Sequence, residues 1–445
     1  MFPCNKRSVR NIFLYISLPL YLACITVYVL LSYFPNSQEC LEKWIIHRLP
    51  LRNTSDDNLN ILDSASSNSM HIFAGQSYRK LPEIHNSTNI SIVPPLKGFR
   101  CKNWAVVASA SKPTDSIRFI TSDRKWCIII VAFISSQSKD NYVLELGYSG
   151  ERLVFLEPQE QESLYPDLSR AIPWNHYGRK NIGYMFAIHN GAELIWDFDD
   201  TNQGLFDINI IHNQTTLRIL KRCKGSYKVF NPYPYFGVNE SYIWPRGFPL
   251  QFVHEIGTLP GLCVGDILVK EVGVIQSIAN IEPDVDAFYR LMRPRTLLFE
   301  ATKTFPFILV PRFSYCPFNA YATLWTKPTF LYMALPTSIH SRVSDIWRSY
   351  IAQFFFHKSK TNILFSPPYV FQVKSKNVAV NFESEFNMYQ KADKLVDFLH
   401  TFSPQLNTTL ETLYGELFKR GYIEFSDINF IKVWIKAYME AFTSN

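Results

Sequence analysis

The stretch that most limits how this chain can fold runs from Trp174 to Asn202, WNHYGRKNIGYMFAIHNGAELIWDFDDTN. Ile182, Met185, Phe186 and His189 recur at helical spacing, and Asn190-Gly191 is a good helix stop. Ala192 to Trp196 is short and mostly apolar, as a strand covered on both faces should be. It is predicted to end at Asp197, so that Asp197, Asp199 and Asp200 cluster where a strand becomes a loop.

Crowded carboxylates repel one another unless a cation sits among them. Hard divalent ions such as Mg²⁺ or Mn²⁺ favour one or two carboxylates plus substrate phosphate oxygens. Ligands of open α/β sheets bind outside the carboxyl ends of the strands. A D-x-D at such an end, with Arg179 and Lys180 one helix earlier, points to a metal-bridged diphosphate of the kind found in a nucleotide sugar. The competing reading is a solvated acidic turn.

The segments upstream supply the rest of the sheet pattern. Trp104–Ala108 and Cys127–Phe133 read as apolar strands and Leu153–Leu156 as a third, with Thr114 or Asp115 capping a helix that runs to about Ile120. Neither a G-x-G-x-x-G nor a Walker loop is present. At 445 residues, 47% apolar and 15% aromatic, the chain can bury a large core. Its net charge of +7 is spread over interspersed acids and bases, without the concentrated patch expected of a nucleic-acid surface.

Residues 1–10 carry Lys6, Arg7 and Arg10, after which no charged side chain occurs from Asn11 to Gln38. Ile12–Phe34 would span about 34 Å as a helix, enough for a bilayer. The basic flank comes first, which predicts a cytoplasmic tail at 1–10, a signal anchor at 11–34 and everything later in the lumen. A cleaved signal peptide is the rival, but the apolar run is longer than a typical signal core and no clean small-x-small site follows. Residues 35–100, rich in Ser and Asn, read as a stem. N-x-S/T sequons stand at Asn53, Asn86, Asn89, Asn213, Asn239 and Asn407. Six cysteines follow the anchor, and their 15 possible connectivities stay open; Cys127, heading an apolar strand, is expected to be a buried free thiol. No spacing resembles a zinc site.

Several blocks carry a family resemblance. Tyr177–Ile188, Gly191-Ala192 and Asp197-Phe-Asp-Asp200 resemble the core of the STELLO family, Golgi proteins of plants with many nematode relatives that are classed as glycosyltransferases. Asn231-Pro-Tyr-Pro-Tyr-Phe236, Trp244-Pro-Arg-Gly-Phe-Pro249, Val274–Asp286, Pro317-Phe-Asn-Ala320, Asp345-Ile-Trp-Arg348 and Pro367-Pro368 follow in the same order, so the resemblance covers roughly 100–400. The family is similar in turn to the plant UDP-arabinopyranose mutases. The resemblance implies a GT-A-like fold, a nucleoside-diphosphate sugar (a UDP-sugar the expected donor), Mn²⁺ or Mg²⁺, and a glycan or glycoprotein acceptor. The plant proteins are associated with cellulose synthase assembly, so a role beside other Golgi glycan-synthesis proteins stays open.

Carried over residue by residue, Asp197 and Asp199 would hold metal and nucleotide with Asp200 assisting, and Arg179, Lys180 and Asn181 would contact phosphates or ribose. Lys112 and Thr114 could meet the base or phosphates. An inverting transferase needs a carboxylate base; Asp345 is the first candidate and Asp286 the second, against the structural roles of helix cap or ion pair. From Ser384 the chain turns helical, with apolar positions at 3–4 spacing in 385–402, 409–419 and 428–442. The expectation is thus an α/β, GT-A-like domain at 101–383 with helices on both sheet faces, a helical extension at 384–445, and a single-pass type II Golgi address. The competing class is an interaction protein that assists a glycan-synthesis complex.

Overall fold

The computed structural model of the chain describes residues 100–443 apart from 111, 147–151, 226, 241, 258–260, 373–376 and 403–407. The expected anchor at 11–34, the stem up to residue 99, Cys40 and the sequons at Asn53, Asn86, Asn89 and Asn407 lie outside the described residues. Among the described residues no helix is long and apolar enough to cross a membrane.

The amino-terminal part of the sheet is built as the apolar runs require. Strands β1 (Asn103–Ser109), β2 (Cys127–Ala132) and β3 (Leu153–Leu156) alternate with helices α1 (Asp115–Ser122) and α2 (Asp140–Leu146). Short helices α3 (Pro158–Leu164) and α4 (Pro166–Ala171) lead to α5 (Lys180–His189) and then β4 (Leu194–Phe198). All four strands are parallel, in the order β3-β2-β1-β4. β1, β2 and β4 are almost wholly buried, which explains their continuous apolar sequence. Helix α5 lies directly on β1 and β2 because Gly183 has no side chain. A Cβ there would stand 2.6 Å from Val106 Cγ1 and 2.7 Å from Val131 Cγ2.

Beyond β4 the sheet becomes mixed. It takes in β5 (Asn202–Gly204), β6 (Thr216–Arg222), β7 (Leu262–Leu268), β8 (Val272–Asn280), β9 (Phe307–Leu309), β10 (Ala322–Thr326) and β11 (Asn362–Gln372). The order continues β4-β10-β8-β11-β9-β6-β7, with β5 added to β11. β10 is antiparallel to both β4 and β8, and β11 is parallel to β8. The carboxyl ends of β1, β4, β8 and β11 therefore emerge on one edge, where β10 begins.

Helices cover both faces. α1 and α2 bury Ile117, Ile120 and Tyr142 on one side; α5 and the 19-residue α8 (Ser341–Ser359) bury the other. Two short helices, α6 (Asn209–His212) and α7 (Ala287–Met292), lie in the connections. The carboxyl-terminal helices α10 (Phe386–Thr401), α11 (Leu410–Lys419) and α12 (Phe425–Thr443) match the three periodic segments within a few residues, and a short helix α9 (Val378–Ser384), outside those segments, precedes them. α12 packs against α4 and α5. Its Trp434 indole donates to the Leu331 carbonyl at 2.9 Å, and Asp427 accepts from the Thr337 backbone and hydroxyl at 2.6 and 3.0 Å. The cysteine expectation needs one correction. Cys127 is bonded to Cys101, because β1 begins beside β2 and brings the two sulfurs together; Cys223 pairs with Cys263, and the buried thiol is Cys316.

Candidate functional site

β4 runs two residues further than the apolar pattern suggested, and this decides the fate of the first acid. Alternation along the strand sends Trp196 and Phe198 into one core while Ile195 and Asp197 face α5. Asp197 is consequently fully buried. Lys180, in the first turn of α5, pairs with one of its oxygens, and Arg348 of α8 donates to the other at 2.9 Å. Lys180 also donates to the carbonyls of Phe198 and Ala320 at 2.8 and 2.6 Å. Burial lowers the Lys180 pKa, while Asp197 and Asp199 oppose that fall. A buried charge so fully partnered meets the requirement for staying ionised in the interior.

From this triad a chain of hydrogen bonds runs through the site. Arg348 donates to the Asn319 carbonyl at 2.9 Å, and the Asn319 amide donates to Asp284 at 3.1 Å. Arg246 donates to both Asp284 oxygens at 2.8 and 3.1 Å and to both Asp345 oxygens at 3.0 and 2.7 Å. Three carboxylates and three cations thus alternate in a buried, charge-balanced network. They come from α5, β4, the R-G-F-P segment, the loop after β8, and α8.

Asp199 and Asp200 lie on the open side of this network and remain partly exposed. The Asp200 backbone donates to Asp199 Oδ1 at 2.9 Å, and Ser109 at the end of β1 donates to Asp200 Oδ2 at 2.6 Å. Ser116 bonds the Asn202 carbonyl, and β5 then ties the chain to β11. The acidic turn is therefore short and held on both sides. Burial raises the Asp199 carboxyl to about 7, helped by the neighbouring Asp200 and opposed by Lys180. A carboxyl raised this far holds its proton more tightly than a free one, and a positive charge brought beside it would lower it again.

The other residues singled out from sequence have different surroundings. Arg179 is buried, stacks over Trp174 at 3.4 Å, and donates to the carbonyls of Ser169 and Ile172 at 2.9 and 3.0 Å. Asn181 exchanges hydrogen bonds with the Leu335 backbone at 2.9 and 2.8 Å. Both residues tie loops to α5. Lys112 is exposed and stands 3.5 Å from Glu145, and the Thr114 hydroxyl accepts from Ile117 as the cap of α1. Asp345 is held by Arg246. Asp286 caps α7 by accepting from the Tyr289 backbone at 2.6 Å, and also takes the Trp244 indole N–H. Burial, and then Glu385, push the Asp286 carboxyl up to about 7.

Sequence reasoning did not place Arg246, Asp284, Arg348, Asn319 or Ser109 among the site residues. For Arg246 and Arg348 a signal existed. Each is a lone guanidinium in an aromatic, apolar setting (Trp-Pro-Arg-Gly-Phe, Ile-Trp-Arg), where an unpaired charge would be costly.

The family profile of the STELLO glycosyltransferases matches residues 342–441, which contain Asp345 and Arg348 and run through the carboxyl-terminal helices. The chain is 26% identical over 401 residues to the Probable glycosyltransferase STELLO2 of Arabidopsis thaliana, and 25% identical to the Probable glycosyltransferase STELLO1 of the same plant. Each match takes in 85% of this chain and 50% of the relative, so the chain spans about half the length of the curated relatives it matches. The profile falls in part on α8, which bears two of the six charged groups of the ion network, and the two relatives extend the chain's similarity to STELLO proteins over most of its length.

Proposed function

We propose that the chain is a metal-dependent glycosyltransferase with a GT-A-like domain that takes a nucleoside-diphosphate sugar, a UDP-sugar in the first instance, at the edge where β1, β4 and β8 end. The observation that carries this reading is the pair of partly exposed carboxylates, Asp199 and Asp200, fixed at the end of a parallel strand on a neutralised base. Two carboxylates suit Mg²⁺ or Mn²⁺, which complete their shells with phosphate oxygens and water. Among the described residues no group of three or more His, Cys, Asp or Glu side chains is placed to hold a metal alone. The cation, when bound, would offset charge developing on the departing diphosphate.

The chain's own residues then divide the work. Asp199 and Asp200 hold the cation, and Ser109 orients Asp200. Asp197, clamped by Lys180 and Arg348, fixes the strand end from behind rather than reaching the donor. Asp345 and Asp286, whose oxygens are engaged by Arg246 and by Trp244 with the Tyr289 N–H, position their helices. The apolar segment at 11–34 and the two disulfides support a type II membrane protein with this domain in the Golgi lumen, facing a glycan or glycoprotein acceptor.

The test is thermal stabilisation by a panel of nucleotide sugars with and without Mn²⁺. A ligand at about 100 times its dissociation constant adds roughly 2.7 kcal/mol. One donor should stabilise the protein only with metal, and Asp199→Asn should abolish the response. No response to any donor would overturn the enzyme reading and favour assistance to a glycan-synthesis complex.

A further inference from the structure

The sheet ends in an edge that the proposed catalytic role leaves unexplained. β7 pairs along its whole length with β6, from Thr216 opposite Leu268 to Arg222 opposite Leu262, and among the described residues no strand pairs with its other side. Its sequence, Leu-Cys-Val-Gly-Asp-Ile-Leu, holds a single charged residue and no proline or lysine, the devices that usually blunt an edge. Val264 and Leu268 are 58% and 39% exposed. The Cys223–Cys263 bridge fastens one end of this strand pair. Such a strand is a ready template for pairing with another chain.

At the other end of the strand pair stands the sequon Asn213-Gln-Thr215. Asn213 closes α6, its backbone donating to the Asn209 carbonyl at 2.9 Å, and Asn213, Gln214 and Thr215 are all exposed. The Thr215 carbonyl accepts from the Val269 N–H at 3.0 Å, which fixes the sequon beside the last residue of β7. The sequon asparagine Asn239 differs, since its side-chain oxygen accepts from the Leu298 backbone at 3.4 Å.

We propose that Asn213 carries an N-linked glycan that overhangs the free edge of β7 and keeps it from pairing with a second chain. In the transfer, Asn213 Nδ2 bonds to the anomeric carbon of an oligosaccharide carried on a lipid diphosphate. The carbon–oxygen bond to the diphosphate breaks, its electron pair leaves with the diphosphate, and Nδ2 gives up one proton. The inference rests on the lumenal placement proposed above.

The experiment uses the full chain made in a eukaryotic secretory host and extracted in detergent. Glycosidase digestion and peptide mass spectrometry read occupancy in the wild type, Asn213→Gln and Thr215→Ala. Each variant should lose one glycan. Enzymatic removal of the sugar from the folded wild type should raise self-association several-fold in size-exclusion chromatography, and Val264→Lys should suppress that rise. The wild-type digestion keeps the test valid if Asn213→Gln fails to fold. An unmodified Asn213 beside occupied Asn53, Asn86 or Asn89 would overturn the proposal and leave the lumenal address standing. No modified sequon at all would remove the lumenal address and this inference with it. A sugar whose removal leaves self-association unchanged, or a wild type already paired through β7, would overturn the shielding role.

Discussion

Replacing Asp197 by Asn tests the buried triad directly, because it removes one negative charge while keeping the shape of the side chain. Breaking a buried ion pair by deleting one partner costs about 3–5 kcal/mol. Two routes of relief exist here. The Asn oxygen can still accept from one cation, and Lys180, whose pKa burial already lowers, can shed its proton while keeping the Phe198 and Ala320 carbonyls as acceptors. The loss should therefore sit near the lower end, about 3 kcal/mol. Unfolding entropy of about 2.1 cal/mol/K per residue over roughly 340 residues gives ~0.7 kcal/mol/K, so Tm should fall by about 4 °C. The sign of the pH dependence is also fixed. In the variant the folded-state pKa of Lys180 lies further below its unfolded value, so between the two the unfolded chain binds more protons and stability rises with pH. The gap to wild type should narrow between pH 7 and pH 9, read by calorimetry in low salt. A loss below about 1 kcal/mol, or a gap that widens with pH, would refute the account of Asp197 as a carboxylate shared by two buried cations.

Gly183→Ala should cost about 1–3 kcal/mol, since the new methyl would overlap Val106 and Val131 and lift α5 from the sheet; urea unfolding measures it, and an unchanged midpoint would show that α5 does not lie so close. Asp199 and Asp286 both carry carboxyls pushed up to about 7, so the folded chain holds more protons than the unfolded one between about pH 4 and 7. Without ligand, stability should fall as pH rises through that window. Asp286→Asn, which keeps the cap on α7, should flatten the fall by about 2–4 kcal/mol; a wild type that gains stability from pH 5 to 7 would contradict this.

Much of the fold was legible because it follows from local pattern. The apolar runs at Trp104, Cys127 and Leu153 became parallel strands, Thr114 capped the helix expected of it, and the 3–4 periodicity after Ser384 became helices on the body. The later strands, β6 to β11, were not assigned from sequence. Their pairing is mostly non-local, as β10 between β4 and β8 shows, and short strands such as Phe307–Leu309 carry too few residues for a period to register.

The sequence by itself determined that Asp197, Asp199 and Asp200 stand at the end of a buried strand, because hydrophobic pattern and turn chemistry act over a few residues. Only the tertiary structure decided which of the three stayed accessible. A two-residue extension of β4 turned Asp197 inward, and burial made Lys180 and Arg348, distant in sequence, its obligatory partners. Asp199 and Asp200 stayed at the open edge because the chain turns there onto β11. Partnership of charges is set by what is buried together, and that depends on packing between segments that no local pattern brings into register.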